Sequence, residues 1–463
     1  MTSSRPVESW ENVYFIGIGG IGMSALARYF QGKGCQVSGY DKQPTPLTRQ
    51  LEAEGIAVHY TESPERVPVS ADAVIYTPAI PATHAELKYS RQQGLRLMKR
   101  SEVLGLITAR YFNICVAGTH GKTTISTMIA HVLRHSGYGC NAFLGGIAVN
   151  YQSNFWGHKN NVCVVEADEY DRSFLTLRPD VAVLSAMDPD HLDIYGTEEA
   201  MESSFLEFTA NIKPTGLLLY KLGLKRTRDL RGQHRQSYSL DNPQADCYAL
   251  NIALKDGAYH FDVQVGKTCI PDFQLLMGGR HNVENSVAAI AVASSLGISA
   301  DLIRKAIAEF RGVKRRFEYV IEPGKHTQGI VMVDDYAHHP EELRALINGV
   351  REQFPRHRCT VVFQPHLYSR TRDFAKGFAA VLDQADEVIL LPVYPARELP
   401  IPGVSSQLIV DQITHHPARI LEKKALLDWI DNTQLQQTVL VMAGAGDIDS
   451  LAEPVRERLL KKN

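Results

Sequence analysis

The stretch Phe112-Asn-Ile-Cys-Val-Ala-Gly118-Thr119-His120-Gly121-Lys122-Thr123-Thr124 decides how this chain is read. An apolar strand runs into a glycine-rich turn, the turn closes on Gly-Lys-Thr, and a helix-like segment follows over 125–133. That order builds an anion grip. Glycines let backbone N–H groups turn inward, the lysine adds a point charge, and the threonine hydroxyl suits Mg²⁺. Gly118, Thr119, His120, Gly121, Lys122, Thr123 and Thr124 therefore predict a bound nucleotide, with ATP as the cofactor. One feature departs from the general phosphate loop. Only Thr119 and His120 stand between the first glycine and Gly-Lys, fewer than that pattern has.

The strand–helix rhythm extends both ways from this turn. Upstream, 13–18, 36–40 and 73–76 read as buried strands, with helical patterns at 23–31 and 47–54 between them. Strands alternating with helices imply a parallel sheet with right-handed crossovers. The segment 87–106 is mixed and charged and reads as a hinge. Downstream, strands are expected at 112–117, 162–166, 181–185 and 216–219. Short alternating runs between 233 and 273 suggest antiparallel β structure. A helix follows over 282–296, with Gly297 as its stop. A further α/β unit begins near 318, with strands at 330–335, 359–363, 387–391 and 438–442.

The expected fold is thus α/β in three domains. A Rossmann-like domain spans 1–107. A central P-loop ATPase domain spans 108–317, with a mainly parallel sheet and a small antiparallel β portion. A Rossmann-like α/β domain spans 318–463. The chain has 463 residues, more than one hydrophobic core usually serves. Lys+Arg number 49 and Asp+Glu 51, a net charge of −2, so no strong field points to nucleic acid or a membrane surface. No apolar run approaches the roughly 18 residues of a membrane span. The seven cysteines include no CxxC pair, which reads as reduced thiols in a cytoplasmic protein.

Several clusters carry chemistry. Gly17-Ile-Gly19-Gly20-Ile-Gly22 follows a strand and opens a helix, and Asp41 ends the next strand. Taken alone this predicts a dinucleotide, but the same turn grips any pyrophosphate, including that of a nucleotide sugar. Two such turns in two α/β units suit an enzyme with two nucleotide ligands, one consumed and one carried. Glu166-Ala-Asp168-Glu169 and Asp188-Pro-Asp190-His191-Leu-Asp193 place carboxylates and an imidazole after predicted strands. Such oxygen-rich sets suit Mg²⁺ or Mn²⁺ more than zinc. Asp334-Asp335-Tyr336-Ala-His338-His339-Pro340 and Phe363-Gln-Pro-His366-Leu367-Tyr-Ser-Arg370-Thr-Arg372 gather basic and aromatic groups able to hold a carboxylate. The run 311–317 is basic and contains Arg315 and Arg316, where a phosphate contact is expected.

Together these motifs, with Gly279-Arg-His-Asn282-Val-Glu-Asn285 and Arg315-Arg316-Phe317, resemble the Mur ligase family, the ATP-dependent amide-forming ligases of peptidoglycan precursor synthesis. The resemblance covers almost the whole chain, and the short phosphate loop is what the family shows. It implies that the first domain binds a UDP-sugar, the central domain binds ATP, and the third supplies the amino-acid site. Gly17-Ile-Gly-Gly-Ile-Gly-Met23, Phe363-Gln-Pro-His366 and Tyr394-Pro-Ala-Arg-Glu398 imply UDP-N-acetylmuramate and L-alanine as substrates. The alternative is the recycling ligase of the same family, which attaches a tripeptide to the same sugar.

Residue by residue, the resemblance implies that Lys122 contacts the β- and γ-phosphates and Thr123 one Mg²⁺, with Glu166 and His191 on a second ion. Asn282 and Asn285 would line the ATP site, Arg316 would reach the phosphates and Asp335 the ribose. Gly19, Gly20, Gly22 and Met23 would cradle the UDP pyrophosphate. His338, His366, Arg370 and Arg372 would lie near the alanine. Ile125-Ser126 replaces the further threonines of many relatives, and Leu367 stands where some carry arginine. A monomer or homodimer is expected. The rival from another class is a nucleotide-gated binding protein with an NAD-type site at residues 17–22.

Overall fold

The computed structural model describes residues 5–188, 192–255, 257–396 and 398–462. The chain divides into two compact units. One comprises Met1–Leu250, Val263–Pro271 and Asn285–Ile307; the other comprises Asn251–Asp262, Asp272–Glu284 and Ala308–Asn463.

The first unit opens on a five-stranded sheet of β1 (Asn12–Ile16), β2 (Gln36–Tyr40), β3 (Ala57–His59), β4 (Ala73–Tyr76) and β5 (Leu97–Lys99). The spatial order is β3-β2-β1-β4-β5, and every pair is parallel. Val13, Tyr14, Phe15 and Ile16 are all fully buried, as a continuous apolar run in a sheet covered on both faces requires. The chain leaves β1 for β2 on one side and reaches β4 on the other. This reversal opens a crevice beyond the carboxyl end of β1, where the glycine turn sits.

The segment 87–106 is no hinge. It forms the end of helix Ala85–Gln92, all of β5 and most of helix Arg100–Thr108. Leu87, Val103, Leu104 and Ile107 are buried there. The mixed polarity is that of amphipathic helices with one face inward.

The second sheet comprises β6 (Phe112–Ala117), β7 (Asn141–Ala148), β8 (Ser153–Trp156), β9 (Val162–Glu166), β10 (Val181–Leu184), β11 (Leu217–Lys221), β12 (His234–Ser239), β13 (Cys247–Lys255), β14 (Ala258–Val265) and β15 (Thr268–Leu275). Its order is β15-β14-β13-β12-β11-β10-β6-β9-β7-β8. The β7–β8 hairpin is antiparallel, and the pairs from β7 through β12 to β13 are parallel. The antiparallel reading of 233–273 thus fails at its start, because β12 is parallel to both neighbours. Alternating polarity reports which face of a strand is buried and not which way the strand runs. β6 lies between β9 and β10, so the segments leaving all three strands emerge at one edge.

The second unit carries β16 (Glu318–Ile321), β17 (Val331–Asp335), β18 (Arg358–Phe363), β19 (Glu387–Leu390), β20 (Ala418–Ile420) and β21 (Thr438–Ala443) in the order β16-β17-β21-β18-β19-β20. Only β16 is antiparallel to its neighbour. The expected α/β architecture therefore holds: in chain order, a parallel sheet, a mixed sheet and a second parallel-rich sheet.

Candidate active site

The phosphate loop leaves β6 and enters helix Lys122–His135. Gly118 has φ +128° and Gly121 φ +81°, conformations that side chains resist. A Cβ on Gly118 would lie 2.4 Å from the Ser185 hydroxyl and 2.6 Å from the Ala186 nitrogen; one on Gly121 would lie 2.9 Å from Asn285 Oδ1. The loop is thus clamped against the segment after β10 and against Asn285, which the sequence placed in the ATP site. Thr119 Oγ1 accepts from the Asp188 amide at 3.1 Å, and the exposed His120 ring stands 3.6 Å from Asp188.

Two carboxylates from the end of β9 meet the two functional side chains of the loop. Lys122 Nζ donates to Glu169 Oε1 and to the Gly118 carbonyl, each at 2.7 Å. Thr123 Oγ1 donates to Glu166 Oε1 at 2.8 Å, while the Gly145 amide donates to Glu166 Oε2 at 2.9 Å. Burial raises the pKa of both carboxyl groups, and Lys122 pulls each back down. A hydroxyl and a carboxylate oxygen this close supply hard oxygen donors of the kind that fit a cation such as Mg²⁺. His191 and Asp190, expected in the same metal site, lie outside the described residues.

The glycine turn is satisfied differently. Gly17 and Ile18 amides donate to the Tyr40 carbonyl at 2.8 and 2.9 Å, and Gly20 donates to Gly17 at 3.2 Å. The Gly19 amide donates to Asp41 Oδ2 at 2.7 Å. The following amides begin helix Ile21–Gly32, where the first turn has no partner inside the helix. The amides of Ile21, Gly22 and Met23 thus have no acceptor within the helix. Gly19 and Gly20 also shape the turn: a Cβ on Gly19 would lie 2.5 Å from Thr48 and 2.8 Å from Asp41, and Gly20 lies over the Met23 side chain. Asp41 braces the turn through this bond, and its Oδ1 accepts from the Lys42 amide at 2.8 Å.

Arg100 links the glycine turn to the carboxylate segment after β9. A Cβ on Gly22 would lie 3.0 Å from its guanidinium, and its NH2 stands 3.9 Å from Asp168, between Glu166 and Glu169. Both turns lie in the same compact unit. Sequence reading missed Arg100. A cation on the first turn of a helix opposes the helix dipole, and that misplacement was the available signal.

In the second unit, Arg315 and Phe317 have φ of +60° and +49°, so Arg316 is held between two left-handed residues. Both guanidiniums lie over Tyr336, at 5.1 and 5.3 Å from the ring centre. Asp335 accepts from the Phe317 and Ala337 amides, each at 2.7 Å, and burial pushes its carboxyl up to about 6 against the pull of Arg316. Asp334, almost wholly buried and 3.7 Å from Arg315, is pushed up to about 7 by the same cause.

His338 Nδ1 donates to the Tyr336 carbonyl at 2.9 Å. Burial lowers its pKa, with Arg370 and Arg316 adding to the effect and Glu342 opposing. The His366 ring meets His338 edge-on at 6.1 Å and stacks on Tyr394 at 5.7 Å. His338, His366 and Arg370 thus gather, while Arg372 is exposed and pairs with its neighbour Asp373. Leu367 caps helix Tyr368–Leu382 with φ +69° and donates its amide to Tyr394 at 2.9 Å. Asn282, buried, donates Nδ2 to the Gly278 carbonyl at 2.7 Å.

A phosphate loop braced by two carboxylates, beside a second anion turn in an α/β unit, defines a nucleotide-using enzyme that handles two phosphorylated ligands. The chain belongs to the Mur ligase family. Residues 12–112 match the Mur ligase family catalytic domain, 116–293 the Mur ligase middle domain, and 315–446 the Mur ligase glutamate ligase domain. It is 48% identical over 456 residues to a UDP-N-acetylmuramate–L-alanine ligase of Porphyromonas gingivalis, spanning 97% of this chain and 99% of that one. A protein of the same name from Parabacteroides distasonis is 48% identical over 457 residues, 97% of each chain. Among solved structures, a UDP-N-acetylmuramate-alanine ligase of Thermotoga maritima superposes with a TM-score of 0.84 at 29% identity, over 98% of this chain and all of that one.

Proposed function

We propose that this chain joins L-alanine to the lactyl carboxylate of UDP-N-acetylmuramate, with ATP as phosphoryl donor, in peptidoglycan precursor synthesis. The first 107 residues or so carry the sugar nucleotide, the middle of the chain carries ATP, and the residues from about 318 carry alanine. The enzyme works in the cytoplasm, where its free thiols stay reduced.

The chemistry follows from charge. A carboxylate repels a nucleophile, so it must first become an acyl phosphate. The amides of Ile21, Gly22 and Met23 hold the sugar's pyrophosphate at the start of helix Ile21–Gly32. The loop amides of 118–124 and the Lys122 ammonium hold the triphosphate and offset charge developing on the transferred phosphoryl group. Thr123, Glu166 and His191 would hold Mg²⁺, with two ions expected, and bound Mg²⁺ supplies charge neutralisation and alignment there. The lactyl oxygen attacks the γ-phosphorus and ADP leaves. The alanine amine, once deprotonated, attacks the acyl carbon and phosphate leaves. Asn282, Asn285, Arg316 and Asp335 serve the nucleotide, and His338, His366 and Arg370 serve the amino acid.

The observation that supports this reading is Arg100, packed on Gly22 and 3.9 Å from Asp168, which links the glycine turn to the carboxylate segment that holds Thr123 and Lys122. The test is ADP release with UDP-N-acetylmuramate against a panel of amino acids and the tripeptide of the recycling reaction. L-Alanine should give the highest kcat/KM. Faster turnover with the tripeptide would transfer the chain to the recycling reaction, and ADP release that ignores every amine would end the ligase reading.

A further inference from the structure

Lys122 is held from two sides. The Lys122 side chain is 14% exposed and that of Glu169 is 0% exposed. An ammonium has three N–H donors. Two are engaged, by Glu169 Oε1 and the Gly118 carbonyl. Glu169 is itself fixed: its carbonyl accepts from the Tyr195 hydroxyl at 2.6 Å and from the Arg172 amide at 2.9 Å. Its second carboxylate oxygen, Oε2, is buried with no hydrogen-bond partner among the described residues. If Lys122 swung off to a phosphate, both oxygens of a buried charge would be left uncompensated, which is strongly unfavourable. The pair therefore stays together when nucleotide arrives.

We propose that Glu169 is a positioning residue for phosphoryl transfer: with the Gly118 carbonyl it anchors the Lys122 ammonium, so that the third N–H alone meets the transferred phosphoryl group. Carboxylates three positions apart divide the labour, Glu166 taking Thr123 and Glu169 taking Lys122. A fixed donor costs no reorganisation as charge develops, which is where such groups accelerate a reaction. The arrangement has a second consequence. Glu169 places a negative charge near the polyphosphate, so it opposes ground-state nucleotide binding while supporting the transition state. This inference rests on the ligase reading above.

The experiment compares Glu169→Gln with the unaltered full-length enzyme. ADP affinity is read by calorimetry, and kcat by ADP release with UDP-N-acetylmuramate and L-alanine. Glutamine keeps the acceptor oxygen and the volume but removes the charge. We expect kcat to fall about ten- to a hundredfold while ADP affinity stays equal or tightens, a split that a merely misshapen loop would not produce. A kcat within about threefold of the unaltered enzyme, or an ADP affinity that falls together with kcat, would overturn the proposal. If Glu169→Gln does not fold, Glu169→Asp keeps the charge but draws it back by one methylene, and its kcat should fall with ADP affinity held. Failure of both variants to fold assigns Glu169 to the scaffold and overturns the proposal as well. Absence of alanine-dependent ADP release in the unaltered enzyme would instead refute the ligase reading, and the ADP titrations separate the two failures.

Discussion

The chain carries two glycine turns of phosphate-binding type, and the two are built on different physics. The turn over 17–22 has its first donors closed off by backbone and by Asp41, and it offers the amides opening helix Ile21–Gly32. The loop over 118–124 offers amides as well, but adds an anchored ammonium and a hydroxyl, each held by a buried or half-buried carboxylate. The first grip suits a group that is carried and never broken. The second suits a group whose charge changes during reaction, because fixed charges act on the difference between ground and transition states. Two turns that look alike as glycine patterns are thus distinguished by the side chains brought to each from other strands.

The largest expected effect removes the charge that defines the second grip. Lys122→Ala should lower ligation by about a thousandfold or more while UDP-N-acetylmuramate binding, measured by calorimetry, is unchanged. Retained ligation would refute the role given to this lysine, and lost sugar-nucleotide binding would show that the two grips are not separable. Next come the glycines. A Cβ on Gly19 meets Thr48 at 2.5 Å, so Gly19→Ala should displace the first turn and raise the KM for UDP-N-acetylmuramate about tenfold or more, with ADP affinity intact. Gly118→Ala meets Ser185 at 2.4 Å and the Ala186 backbone at 2.6 Å, at φ +128°, and should show the reverse pattern with a lowered melting temperature. Crossed effects in this pair would break the comparison.

Much of this was legible beforehand because most of the central strands are nearly continuous buried runs. Residues 36–40, 73–76, 112–117 and 162–166 are uninterrupted strand runs, and each matches an observed strand. The phosphate loop was readable because glycines with positive φ leave a fixed spacing. What stayed hidden depends on contacts between distant segments. Glu169 stood in a quoted motif, but nothing in its spacing said that its carboxylate would close on Lys122, 47 positions away. Arg100 lay in a stretch read as a hinge, because short amphipathic helices and a three-residue strand look irregular in one dimension. Asp41 was legible as an acidic residue at a strand end, but its use inside the turn, 22 positions from Gly19, was not.

Asp41 and Arg100 give the subtler tests of the comparison. If the first grip works through amides and not through charge reserved for a hydroxyl, Asp41→Asn keeps the acceptor for the Gly19 amide and removes a negative charge beside a pyrophosphate. UDP affinity should then rise, by no more than about fivefold, the equivalent of about 1 kcal/mol for one charge at the surface. A nicotinamide-cofactor site would respond in the opposite direction, because it would lose its ribose acceptor.

Arg100→Ala should do least to the fold, since its 3.9 Å pairing with a 41% exposed Asp168 is a weak surface interaction. The melting temperature should stay within about 2 °C. Its effect should appear only where the two grips meet. UDP-N-acetylmuramate and ADP should each bind alone nearly as before, but the gain in affinity of one when the other is present should shrink. That gain is a coupling free energy and must be the same from either direction. Equal loss from both directions would place the coupling in Arg100; a loss confined to the sugar nucleotide would mean that Arg100 is only another part of the first grip.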